Sequence, residues 1–94
     1  MYQLHVVDSN DKPFPPRRSH QRAVNDCKAY CDEKSLVVAK DWLTWLSGQD
    51  DPDFEQREDD YDYVELLYSY GSCEDEALRL ASRYVWDNLA IIEV

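Results

Sequence analysis

The sequence predicts an α+β domain, predominantly helical, with three to four helices and a small sheet formed by its N- and C-terminal strands. Three observations lead there. Tyr2, Leu4 and Val6 alternate with Gln3 and His5, the period of two that suits a half-buried strand. Leu89 to Val94 reads LAIIEV, apolar and partly β-branched, and pairing it with the first strand would bury both. Between these ends, apolar residues recur at spacings of three and four, as on one face of a helix. A chain of 94 residues has room for a single core, so residues 1–94 are read as one acidic globular domain.

Taken in order, Tyr2 to Val7 is the first strand. DSNDKPFPPRRS follows, with three prolines and turn-forming Asp and Asn, and is expected to be an extended loop whose Phe14 docks on the body of the fold. Ser19 is placed to cap a helix from His20 to Lys34, with Ala23, Val24, Cys27, Tyr30 and Cys31 on one face. Leu36 to Ala39 is too short a run for periodicity to assign. A second helix is expected from about Val37 to Ser47, with Trp42 and Trp45 at the centre of the core and Gly48 ending it at positive φ.

Residues 60–70 fit a helix through Tyr61, Val64, Leu67 and Tyr68, and fit a strand through Tyr61, Tyr63 and Leu66. Gly71 as a C-terminal cap tips the reading to helix. Ser72-Cys73-Glu74-Asp75 resembles a capping box. It opens a helix expected from Cys73 to about Asn88, with an apolar stripe of Ala77, Leu78, Ala81, Tyr84, Val85 and Leu89. Asn88 is expected to end it in a left-handed conformation.

The net charge of −10 is unevenly spread: residues 1–48 carry +1 and residues 49–94 carry −11. Nine carboxylates crowd into QDDPDFEQREDDYDYVE, Gln49 to Glu65, against the single Arg57. Such a field repels nucleic acid phosphates and anionic membranes, which argues against direct binding of either there and leaves a basic protein or a metal ion as the partner. No apolar run approaches the roughly 20 residues needed to span a bilayer. The start MYQLHVVD has no basic region followed by an apolar one, so no signal peptide is expected. Cys27, Cys31 and Cys73 are read as reduced thiols of a cytoplasmic protein.

The chemistry of sites is thin. Cys27 and Cys31 lie four apart on one helix face, with His20 earlier, but a structural zinc needs four ligands and no second close pair follows. They are read as small core residues, and no metal or other cofactor is expected. Cys73 at a helix N-terminus has no histidine nearby in sequence to make it a nucleophile. Asp51-Pro-Asp53-Phe-Glu55 alternates oxygens as an EF-hand loop does. It then fails at Gln56, where the turn needs Gly, and at Asp62, where the bidentate Glu belongs. Catalytic carboxylate pairs need burial to separate their pKa values, and nine acids in a polar run are solvated, so no enzyme is expected.

What remains is a surface. Asp50, Asp51, Asp53, Glu55, Glu58, Asp59, Asp60 and Asp62 supply charge, with Tyr61 and Tyr63 as rigid anchors. In size, acidity and absence of catalytic motifs the chain resembles the small nucleic-acid mimics of phages and mobile elements, such as anti-restriction and anti-CRISPR proteins. That resemblance is one of type and rests on no aligned motif. It implies a non-enzymatic inhibitor that occupies a basic nucleic-acid-binding surface of a partner protein. The alternative is a homo-oligomeric scaffold or a small-ligand or nucleotide-binding protein. It would use the aromatic helices, with Trp42, Trp45, Tyr84 and Trp86, and the cationic patch Arg17, Arg18 and Arg22.

Overall fold

A computed structural model describes residues 1–7, 9, 12–48 and 60–94. The chain runs β1 (Tyr2–Val6), α1 (His20–Ser47), α2 (Tyr61–Ser69), α3 (Glu74–Asp87) and β2 (Leu89–Glu93). β1 and β2 pair antiparallel, Tyr2 against Glu93 through Val6 against Leu89, so the expected α+β architecture with its terminal sheet is what the chain adopts.

The two helices expected over His20–Lys34 and Val37–Ser47 are one helix of 28 residues. No Gly or Pro lies between them to break the backbone ladder. Ser35, a residue able to stop a helix by capping, instead turns its hydroxyl back onto the Asp32 carbonyl at 3.3 Å, a bond made within a continuing helix. Every fourth position of the inner face carries a small side chain: Ala23, Cys27, Cys31, Ser35 and Ala39 are all buried. Ala77 and Ala81 of α3 face them with no exposed surface. Small residues at a helix contact bring the axes close. The two helices run antiparallel, since the Cys31 thiol donates to the Ser82 carbonyl at 3.3 Å while Ser47 lies beside Ser72, Glu74 and Asp75.

Beyond this small-residue seam the core becomes large. Trp42 is fully buried among Leu46, Val64, Leu67, Ala77 and Leu80, with Trp45, Tyr63 and Tyr84 packed around it. Ring centroids lie 6.0 Å apart for Trp42 and Tyr63, 5.7 Å for Trp42 and Tyr84, and 5.3 Å for Tyr63 and Tyr84, within the range for favourable aromatic contacts. The Tyr63 hydroxyl donates to Asp87 at 3.2 Å.

Helix ends depart from the sequence expectations in several places. Ser19 holds the N-cap position of α1 with extended backbone, but its side chain makes no capping bond. Cys73, not Ser72, is the N-cap of α3, so the capping box does not form. Asp62, Glu74, Asp75 and Glu76 stand in first turns, where carboxylates favour the helix dipole. Gly48 and Asn88 end their helices at φ −87° and −96°, outside the left-handed region expected of them. Asn88 instead donates its side-chain amide to the Tyr84 carbonyl at 3.0 Å. On α3 the apolar stripe is displaced: Leu80 is buried and Leu78 is exposed.

Gly71 behaves as expected. At φ +87° it ends α2, with its own N–H on Tyr68 and the Ser72 N–H reaching back to Leu67, the paired bonds of a Schellman motif. A Cβ added there would meet no atom within 4 Å, so the penalty for a side chain is backbone strain alone. Gly71→Ala is expected to destabilise the fold by about 1–2 kcal/mol, read as a fall in the urea midpoint at constant slope. An unchanged midpoint would contradict the left-handed assignment.

Candidate partner-binding surface

The acidic stretch enters the described structure at Asp60, which holds the N-cap position of α2. Its carboxylate accepts a hydrogen bond from the indole N–H of Trp42 instead of capping the helix. A buried tryptophan N–H requires an acceptor, and here the acceptor comes from the acidic segment itself. Asp60 thereby fixes the last part of that segment to the centre of the core.

From this anchor α2 presents two kinds of face. Val64 and Leu67 are buried and Tyr63 turns inward onto Trp42. Tyr61, Asp62, Glu65, Leu66, Tyr68 and Tyr70 are exposed. Tyr61, Glu65 and Tyr68 follow one another at spacings of four and three, so they form a single outward row, with Asp62 and Leu66 beside it. The field along this row is negative: the Asp62 carboxylate, by its charge and by a hydrogen bond, pushes the Tyr61 phenol above its ordinary value, and Glu65 adds to this more weakly. Glu74 and Asp75 add exposed acids just beyond the α2–α3 turn, while Glu76 is held by Arg79 at 2.6 Å.

Of the ten residues assigned to this surface from sequence, Asp50, Asp51, Asp53, Glu55, Glu58 and Asp59 lie outside the described residues, as does most of the segment compared with an EF-hand. Tyr61 and Asp62 are exposed as expected. Tyr63 belongs to the core, and Asp60 is a structural anchor as much as a surface charge. Glu65, part of the acidic stretch but not among the expected contacts, and Leu66 are also exposed, because the helical period from Tyr61 brings both outward.

No family model, curated protein or solved structure matches this chain.

The other candidate groups are placed as follows. Arg17 of the expected cationic patch grips Asp26 with both Nε at 2.7 Å and a terminal nitrogen at 3.2 Å, whereas Arg18 and Arg22 are exposed. Among the large aromatics, Trp42 is 0% and Trp86 45% exposed. Cys27 and Cys31 are buried free thiols and Cys73 is an exposed one. Burial, then the nearby Asp26 carboxylate, pushes the Cys27 thiol up, and burial followed by Asp32 does the same for Cys31. Both stay protonated core groups. Among the described residues no three His, Cys, Asp or Glu side chains converge as a metal site would require, and no helix is long and apolar enough to cross a membrane.

Proposed function

We propose that this protein is a non-enzymatic acidic binding protein, a nucleic-acid mimic of the anti-restriction or anti-CRISPR kind. It would occupy a basic surface with which a partner protein holds DNA or RNA. The observation that carries this reading is the exposed face of α2, where Asp62 and Glu65 stand between Tyr61 and Tyr68 on a helix pinned to the core through Asp60 and Trp42. Carboxylates three or four apart on a helix stand about 5–6 Å apart, comparable in scale to successive phosphates. Exposed tyrosines offer rigid contact area and ring faces to Arg and Lys. A pinned helix loses little ordering entropy on binding.

Capture of partners from lysate on the immobilised protein, at low and at high salt, tests this reading. Binding is expected to weaken steeply with salt, as charge-dominated binding does, and to exclude the partner's own nucleic acid. The double variant Asp62→Asn with Glu65→Gln is expected to weaken it at least tenfold while leaving the thermal midpoint in place. Asp60 is left intact because its carboxylate serves Trp42. Salt-insensitive binding that survives the double variant would refute the proposal.

A further inference from the structure

The sheet has two outer edges, and the described residues cover one of them. Along β1, Tyr2 exchanges both backbone bonds with Arg17 at 2.7 and 2.6 Å, and the Val6 carbonyl accepts from Ser9 at 3.1 Å. These bonds, with Val7 N–H on Asn88 and Val94 N–H on Met1, fix the ladder's phase. Gln3 faces Ile92 and His5 faces Ala90 as hydrogen-bonded pairs, so the backbone groups of Ile91 and Glu93 point away from β1. Among the described residues no backbone group meets them there. The edge is short, with a single charge at Glu93, and has neither Pro nor Lys in LAIIE. Beside it lies an open hollow of about 340 Å³ walled by Val24, Cys27, the half-exposed Trp86 and the strand itself.

We infer that two copies of this chain associate through β2, edge to edge and antiparallel about a two-fold axis, forming one four-stranded sheet. The register of fullest overlap sets Ile91 opposite Ile91 and Glu93 opposite Leu89 of the second copy, so the glutamates do not meet. The charge layout favours the same occupant. α1, of 28 residues, is about 42 Å long, with the sheet running beside it from His20 to Val38 and Ser47, Glu74 and Asp75 at its far end. Joining the sheet ends turns the acidic ends outward. Glu74 and Asp75 of the two copies then lie far beyond the Debye length of about 8 Å at physiological ionic strength, so their mutual repulsion is screened. A two-fold isologous contact also closes on itself and forms no fibre.

Sedimentation velocity on the full chain from low to high micromolar concentration tests this. The chain is expected to sediment as a dimer at the upper end. Glu93→Pro removes an outward N–H without touching the ladder to β1, and should weaken the dimer at least tenfold while circular dichroism and the thermal midpoint stay unchanged. In a second measurement, the concentration-dependent blue shift of tryptophan emission on pairing should vanish in Trp86→Phe. A monomer at all concentrations overturns the inference. So does a dimer that ignores Glu93→Pro but dissociates on Leu36→Asp, because Leu36 and Leu78 line a separate apolar groove between α1 and α3.

Discussion

Replacing Trp42 by alanine is expected to remove about 3–5 kcal/mol of folding stability, a large part of what a domain of this size possesses. At roughly 4–8 °C of thermal midpoint per kcal/mol, the variant should melt more than about 12 °C lower. The ring is fully buried and touches both α2 and α3 elements of the core. No neighbouring backbone collapses easily into the space it would leave, because the seam beside it is already closed by Ala39, Ala77 and Ala81. Trp42→Phe separates two contributions. It keeps most of the apolar volume and deletes the indole N–H that Asp60 accepts, for an expected loss of about 1–3 kcal/mol. Near-UV circular dichroism during urea unfolding reads both. Should the phenylalanine variant equal the parent, the Asp60 contact contributes nothing to the fold.

A second large effect is expected from adding volume rather than removing it. Ala81→Leu inserts three heavy atoms into the contact between α1 and α3, where Ala81 has no exposed surface and small residues repeat every fourth position on the opposing helix. Overpacking of this kind costs about 1–3 kcal/mol, through displaced helices or strained rotamers. Leu78→Ala, one helical turn away on the exposed side of α3, serves as the control and is expected to shift stability by no more than about 0.5 kcal/mol. If Ala81→Leu were tolerated as well as Leu78→Ala, the close approach of the two helices would be wrong.

The strands and α3 were legible because each shows its period locally. Tyr2, Leu4 and Val6 repeat every second residue, and Ala77, Ala81, Tyr84 and Val85 every third or fourth. The unity of α1 was not legible. Lys34-Ser35-Leu36 interrupts the apolar pattern with a capping-type residue, and only the burial of Ser35 in the folded chain shows that the interruption is on the inner face. Leu80 and Leu78 are both compatible with an amphipathic α3, and the choice between them depends on where α1 lies. Asp60 and Trp42 are 18 positions apart. Their bond is a tertiary fact, and it divides a run of acids that composition treats as uniform into an anchored carboxylate and a presented pair, Asp62 and Glu65.

The sheet joins the first element of the chain to the last, and this has a kinetic consequence. The three helices meet across at most about half the chain, as in the Cys31–Ser82 contact, whereas β1 and β2 must close a loop of almost the entire chain before their ladder contributes anything. The helices therefore consolidate first and the strands latch last. The same latch should open first under native conditions, so the amides of Gln3, His5 and Ile92 are expected to exchange with deuterium through a smaller opening than those of Leu80 and Ala81. A protein built this way can loosen at its sheet while the helical body that carries the acidic row stays intact.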